Sequence, residues 1–119
     1  MKNLEINIKA VKLDQIRSQE INKEYKDITS FWISKLCTYK GKHLKPKFWR
    51  DKNKTEQPFY NWFIDMLIAG NLSQLGFKNY TGVSFHVSRS PELGTFIANK
   101  YSFRFGVGTG GNVQLIISF

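Results

Sequence analysis

Residues 80–119 read YTGVSFHVSRSPELGTFIANKYSFRFGVGTGGNVQLIISF, and this stretch decides the fold class. Around Val83 and Phe85, apolar side chains alternate with polar ones, the period-two pattern of a strand with one buried face. Segments 95–108 and 113–119 are rich in the aromatic and β-branched residues that strands favour. Turns with Gly and Pro separate the three segments, which predicts three strands of one sheet.

The amino-terminal part of the chain predicts a strand, a short helix and a second strand. LEINIKAV (4–11) alternates as the carboxyl-terminal strands do, so we expect it to join their sheet. The following residues predict one or two helical turns with Asp14 in the first turn, where a negative charge is favourable. NKEYKDI (22–28) predicts a strand that leads into a helix capped by Thr29 or Ser30.

The middle of the chain predicts a charged loop and then an apolar helix. Residues 40–58 contain a charge run and two prolines, which favours a long loop. FYNWFIDMLIAGNLSQLGF (59–77) predicts a helix of two to three turns with a ragged continuation. Because its apolar residues occupy nearly all faces, we expect it to be buried on more than one side. The glycine-rich GVGTGG (106–111) lies between two predicted strands, which indicates a turn and not a phosphate-binding loop.

The length favours one small domain, and the predicted strands and helices place it in the α+β class. The 119 residues suffice for a single hydrophobic core. The single cysteine, Cys37, rules out an internal disulfide and favours a reducing compartment, so we expect a cytoplasmic protein. The charged amino-terminal stretch indicates neither a signal peptide nor a membrane span, and we expect no membrane partner. No residues have metal-ligand spacing, and no cofactor is implied.

The formal net charge of +9 is concentrated in residues 40–54, which hold seven Lys or Arg against one Asp. Such a run attracts phosphates, and the alternative is a solvated loop that keeps the protein soluble. Ten Phe, five Tyr and three Trp exceed what one core of this size uses, so some rings are expected at the surface. We therefore predict RNA or another nucleic acid as the partner.

Single-stranded or looped RNA fits this surface better than a duplex, because unpaired bases can stack on aromatic side chains. Trp49 or Phe48 is the predicted stacking residue, although Trp49 as a loop anchor is an equal alternative. Arg104 lies in the strand region and can extend the surface. The residues expected to contact phosphates are Lys40, Lys42, Lys45, Lys47, Arg50 and Arg89.

Four motifs follow one another in an order typical of a known family. The triplet EYK (24–26) precedes the aromatic TSFWISKL (29–36). GVSFHVSRSPEL (82–93) supplies a strand and turn, and YSFRFGVGTGGNVQLIISF (101–119) a closing pair of strands around a glycine turn. This order resembles that of the ASCH domain, a small β-barrel related to PUA domains, above all in its bacteriophage members.

The resemblance covers residues 1–38 and 80–119. Residues 39–79 have no counterpart in compact members and look like an insertion that carries the basic run and an extra helix. The resemblance implies a single PUA-like domain with a closed or nearly closed mixed barrel and short helices capping it. It also implies a cleft beside the triplet and a role in RNA binding.

Within the triplet, a strand places Glu24 and Lys26 on one side and Tyr25 on the other. The carboxylate and the ammonium group can then pair across the cleft and still offer an acceptor and a donor to a base edge. The alternative is a surface ion pair worth at most about 1 kcal/mol.

An enzyme is an alternative to a binding module. Some bacterial ASCH proteins are amidohydrolases that act on acetylated cytidine through a Lys, a Thr and a Glu. The alignment puts Ile21 at the Lys position and Glu24 at the Thr position, with Lys26 in place of a motif Arg. Because isoleucine can neither transfer a proton nor attack a carbonyl, that chemistry is not carried over unless a shifted register brings in Lys23.

Two further alternatives concern RNA cleavage and protein binding. A metal-free ribonuclease needs an acid and a base beside a 2′-hydroxyl group, and the two histidines are His43 and His86. A histidine on a strand can equally be a hydrogen-bonded structural residue. Helix 59–77 can bind a protein partner, an idea that gains if an apolar patch stays exposed. Catalytic residues and the oligomeric state stay unassigned.

Overall fold

The computed structural model describes residues 2–44, 57–108 and 110–119. In these ranges the chain forms three α-helices and nine strands, which make three sheets of three strands each. The predicted α+β class is therefore confirmed. None of the helices in these ranges is long and apolar enough to cross a membrane.

The helices and strands are numbered here in chain order. They are β1 (Leu4–Asn7), α1 (Ala10–Arg17), β2 (Lys23–Lys26), α2 (Ser30–Leu36), β3 (Cys37–Tyr39), β4 (Lys42–His43), α3 (Gln57–Ile68), β5 (Leu75–Phe77), β6 (Val83–His86), β7 (Thr95–Ala98), β8 (Ser102–Val107) and β9 (Val113–Ser118). Short 3-10 turns occupy Leu72–Gln74 and Pro91–Leu93.

The chain forms two compact units. The first unit combines Met1–Lys26 with Asn79–Phe119, and the second unit is Asp27–Lys78. The second unit contains the described part of the segment expected as an insertion, and it also contains α2, which the ASCH resemblance placed outside that segment.

The first unit contains two sheets. In one sheet β6 lies between β1, to which it is parallel, and β7, to which it is antiparallel. In the other sheet β9 lies between β2 and β8, and both pairs are antiparallel. The ring of Phe85 in the first sheet lies 4.6 Å from the ring of Phe119, which follows β9, so the two sheets share a core.

The closed barrel implied by the resemblance is not present in the described ranges. A barrel needs every strand to be hydrogen-bonded on both sides. Each described sheet instead has two edge strands, which in the first unit are β1, β7, β2 and β8. The predicted single sheet is likewise divided in two, because the chain leaves β7 at Asn99 and starts β8 at Ser102 beside different neighbours. Segment 95–108 is therefore two strands and not one.

The local predictions for the amino-terminal part hold in outline. Leu4 and Ile6 of β1 are buried while Glu5 and Asn7 are exposed, as the alternation predicts. Helix α1 begins at Ala10, earlier than expected, so Asp14 lies beyond its first turn. This helix is positioned by its apolar spacing, which buries Leu13 and Ile16, and not by the charge of Asp14.

The second unit confirms the predicted cap. The Thr29 side chain accepts a hydrogen bond from the backbone N–H of Trp32 at 3.2 Å, which satisfies one free donor of α2. Strand β3 lies between β4 and β5 in an antiparallel sheet. A two-residue turn at Lys40 and Gly41, both with positive φ, joins β3 to β4.

Three predictions for the middle of the chain are wrong. The predicted long loop begins with the β3–β4 hairpin, and the predicted ragged helical continuation contains β5. Helix α3 is buried on one face only, through Phe59, Phe63 and Met66. Its opposite row stays exposed, with relative accessibilities of 37% for Tyr60, 51% for Ile64 and 81% for Ile68.

Candidate functional site

The first unit buries a carboxylate in its second strand. The side chain of Glu24, in the middle of β2, is only 5% exposed. Lys12, in the first turn of α1, donates from Nζ to Glu24 Oε1 at 3.0 Å. The Nζ atom of Lys26 lies 3.8 Å from the same oxygen. Two ammonium groups therefore converge on one carboxylate oxygen.

The second oxygen of this carboxylate has no partner. Glu24 Oε2 is buried and makes no hydrogen bond within the described part of the chain. An ionised carboxylate has about four acceptor sites, and a buried acceptor left unpaired costs about 1–3 kcal/mol. The terminal torsion of a glutamate is broad, so a modest rotation can turn Oε2 towards a bound group.

A cleft of about 390 Å³ lies over this carboxylate. It is built from the carboxyl end of β1, the start of α1 and one face of β2. Its lining residues are Asn7, Ile8, Lys9, Val11, Lys12, Glu24 and Lys26. With three ammonium groups against one carboxylate, the Glu24 cleft attracts an anion while offering an acceptor at its base.

The side chains of β2 alternate between its two faces, so the members of the predicted triplet lie on different faces, as expected. Glu24 and Lys26 line the Glu24 cleft, whereas Tyr25 is not among its lining residues. Tyr25 pairs with Ile116 of β9, which in turn pairs with Arg104 of β8. The structure thus brings together two members of the triplet and places the third on the face shared with Arg104.

The other predicted contact residues lie elsewhere. Lys40 and Lys42 are exposed on the β3–β4 hairpin of the second unit, where the Lys40 Nζ lies 5.3 Å from the centre of the Tyr39 ring. Arg89 is exposed in the turn after β6. The remaining predicted contact residues lie outside the described ranges, and these are Lys45, Lys47, Phe48, Trp49 and Arg50.

Sequence reasoning missed Asn7, Lys9 and Lys12 as members of a site. Lys9 immediately precedes α1, and Lys12 lies in its first turn. No periodic relation links Lys12 to Glu24, twelve residues later. The available signal was the pair of lysines at the start of a helix, followed by a glutamate in the next strand. This signal indicates a site only once it is known that the chain turns back from α1 so that β2 lies beside the helix.

The histidines and the alternative catalytic lysine do not meet in the Glu24 cleft. His86 Nδ1 lies 3.3 Å from Oε2 of Glu5, a pair on neighbouring strands β6 and β1. His43 is exposed on β4 in the second unit. The residues that line the Glu24 cleft do not include His86, His43 or Lys23. Among the described residues, the geometry therefore assembles no acid and base around the cleft beyond Glu24 and its lysines.

Cys37 is buried, which disfavours its nucleophilic thiolate form. Burial raises the pKa of its thiol from the usual 9.0 to about 12, an effect that the charge of Lys78 only partly opposes. The Nζ of Lys78 donates to the backbone carbonyl of Ser34 at 2.6 Å, and partial burial lowers the pKa of this lysine. Within the described ranges, no three His, Cys, Asp or Glu side chains are grouped so that they could hold a metal ion.

Comparison with known proteins adds no relative. No family model, no curated protein and no solved structure gives a significant match to the chain. The features of this chain that bear on function are therefore the geometry and charge of the Glu24 cleft and the basic surfaces of the two units.

Proposed function

We propose that this protein binds single-stranded RNA, and that the Glu24 cleft receives one unpaired nucleotide. The observation that carries the proposal is a buried carboxylate, one oxygen of which has no hydrogen bond to a described residue, in a cleft that three lysines line. The lysines suit the phosphate, and the carboxylate suits a base edge that presents an N–H donor. The amino group of cytosine and the donors of guanine meet that requirement.

A purely structural ion pair explains the Glu24 cleft less well. Buried polar atoms in folded proteins are almost always hydrogen-bonded, whereas Glu24 Oε2 has no hydrogen-bond partner in the part of the chain that the structure describes. A structural pair also needs one cation, but Lys12 and Lys26 both approach the same oxygen. A ligand that carries a phosphate and a donor accounts both for the three lysines that line the cleft and for the acceptor at its base.

The charge of the whole chain supports the same ligand. The net charge is +9, and the exposed Lys40 and Lys42 begin the basic run of residues 40–54. Contacts of lysine with phosphate dominate the affinity of nucleic-acid-binding proteins and make it fall with salt. The resemblance to ASCH domains favours RNA as the nucleic acid, and membership of that family is part of this proposal.

Titration of a fluorescent single-stranded RNA pool, followed by anisotropy at several salt concentrations, tests the proposal. We expect salt-sensitive binding and, on a gel, RNA that stays intact. The variant Lys9→Glu reverses a charge in the cleft, and Lys2→Glu is the control with the same change of charge at an exposed site outside it. We expect Lys9→Glu to weaken binding more than its control does.

Two results decide against the proposal. Absence of binding at low salt removes the RNA-binding function altogether. Equal effects of Lys9→Glu and Lys2→Glu show that RNA binds without the Glu24 cleft. RNA that is cut during the titration identifies the enzyme alternative, for which Glu24→Gln then tests whether the carboxylate takes part.

A second candidate function is protein binding through α3, favoured by its exposed apolar row. Tyr60, Ile64 and Ile68 are spaced four residues apart, so they form one stripe along the helix. Such a stripe is the usual anchor of a helix in an apolar groove. Sedimentation of the wild type over a range of concentrations, compared with an Ile64→Glu, Ile68→Glu variant, tests association with a second copy. A wild type that stays monomeric argues against self-association.

A further inference from the structure

A second cavity of about 610 Å³ lies within the first unit, at the opposite end of α1 from the Glu24 cleft. It is lined by the end of α1, the segment that leads into β2, the last three residues of β7 with the bend after them, and the last residue of the chain. This volume falls within the usual range of pockets that bind small molecules, about 300–1,000 Å³.

The base of this cavity is formed by aromatic and aliphatic side chains. Phe96 and Phe119 are half-buried and line it together with Ile16 and Ile21. The ring of Phe119 packs 4.6 Å from the fully buried Phe85, so its position is set by the core. The cavity therefore offers firmly held ring surface to a flat apolar group.

The rim of the cavity carries carboxamides and one cation. Gln19, Asn22 and Asn99 are exposed, and their side chains make no hydrogen bond to another described residue. Lys100 adds an ammonium group, and no acidic side chain is among the lining residues. A carboxamide both donates and accepts, so this rim suits a neutral, flat group with mixed donors and acceptors that is attached to an anion.

We propose that this cavity is a second subsite of the RNA-binding surface, which takes an unpaired base between its rings and its amides. The inference rests on the proposed RNA-binding function. Aromatic side chains stack on unpaired bases, and Asn and Gln pair with the hydrogen-bonding edge of adenine in particular. Lys100 is placed to contact the phosphate of the same nucleotide.

Two elements join the subsite to the Glu24 cleft. Lys12 lines the cleft and Ile16 the cavity, a separation of four residues or about 6 Å along α1. Asn22 precedes Glu24 by two residues, and the bond from the Phe119 N–H to the Asn22 carbonyl continues the β2–β9 ladder. Two residues of strand span about 7 Å. The two sites are thus close enough for nucleotides of one strand.

A charge-matched pair of variants tests the subsite. Asn22→Asp with Asn99→Asp keeps the shape of the cavity but replaces two donors by negative charges. Asn79→Asp with Asn112→Asp makes the same charge change at exposed positions that do not line the cavity. With oligoadenylate as the probe, we expect the first variant to bind at least fivefold more weakly than the second.

An abasic probe separates base stacking from phosphate contacts. A backbone of the same length and charge but without bases cannot stack. Phe119→Leu is expected to weaken binding of oligoadenylate roughly five- to hundredfold, in line with the effect of losing one stacked base. The same variant should leave binding of the abasic probe unchanged, provided that its thermal unfolding shows it to be folded.

The outcomes distinguish the two proposals. Failure of the wild type to bind oligoadenylate or the RNA pool at low salt removes the proposed function and the subsite with it. Binding by the wild type with equal affinities for the two asparagine variants, or an equally weakened affinity for both probes in Phe119→Leu, overturns the subsite alone and leaves the proposed function standing.

Discussion

Lys12 of α1 and Glu24 of β2 form a charge-assisted hydrogen bond of 3.0 Å that links a helix to the strand following it. The carboxylate is buried while the lysine is partly exposed, so the two partners lose different amounts of hydration on folding. Lys26 is farther from the same oxygen, at 3.8 Å, and gives a weaker compensation. The bond is therefore the main support of the Glu24 carboxylate.

Removal of the Lys12 ammonium group should destabilise the first unit more than removal of the ammonium group of the exposed Lys9. We expect Lys12→Met to lower the free energy of unfolding by about 1–3 kcal/mol, because the buried Glu24 loses its closest donor. Lys9→Met, at an exposed residue that lines the same cleft, should stay within about 0.5 kcal/mol of the wild type. Urea denaturation measures both.

The double variant Lys12→Met, Glu24→Leu isolates the interaction. Once the buried carboxylate is gone, the removal of its donor should have little further effect, so the double variant should be more stable than the sum of the single changes predicts. Strict additivity would show that the two side chains do not interact in solution.

The cap of α2 provides a test in the second unit. Thr29→Ala removes the acceptor of the Trp32 N–H and should lower the stability by about 1 kcal/mol. Thr29→Ser keeps a hydroxyl at the same place and should remain close to the wild type. If Thr29→Ser is as unstable as Thr29→Ala, the methyl group and not the cap is what matters.

Alkaline pH should destabilise the fold through Cys37. Its folded pKa of about 12 exceeds the usual 9.0, so above pH 9 the unfolded chain loses the thiol proton while the folded chain keeps it. Stability is therefore fully present below pH 9 and is lost as the pH rises towards 12. Cys37→Ala should show a smaller decrease from pH 9 to 11, measured by urea denaturation.

The titration of Lys78 changes the stability with pH in the direction opposite to that of Cys37, and it serves as an internal check on that prediction. Its folded pKa is lowered, chiefly by burial, so deprotonation favours the folded state as the pH rises towards 10.5. The two contributions partly cancel in the wild type.

The Cys37 thiol should resist alkylation at pH 8 until the chain unfolds, and rapid modification of the folded chain would contradict its burial.

The basic run should contribute to affinity by neutralising phosphates of the RNA backbone. The charge-reversal variant of Lys42, Lys45 and Lys47 should bind single-stranded RNA more weakly at every sequence tested. Its log–log salt slope should shrink by roughly 0.7 for each phosphate that the variant no longer neutralises. An unchanged slope would make the run a solubility feature, which is the alternative that the sequence leaves open.

Local chemistry accounts for the predictions that hold. The alternation in β1 and the Thr29 cap depend on residues a few positions apart, and both are as expected. A glycine turn was also expected at 106–111; Gly106 and Val107 belong to β8, and the described Gly108, Gly110 and Gly111 lie between β8 and β9. The start of α1, the β3–β4 hairpin and β5 were missed because the pattern at each place admits more than one structure until neighbours are known.

The sequence by itself determined that Glu24 and Lys26 share a face of an extended strand, since side chains alternate with a period of two. Only the tertiary structure decided that this face is buried, that Lys9 and Lys12 lie over it, and that the strands form separate sheets. These features depend on which distant segments meet, as where β2 pairs with β9 some ninety residues later. The pairing of such distant segments is set by the packing of the whole core, and it produces no periodic pattern in the sequence.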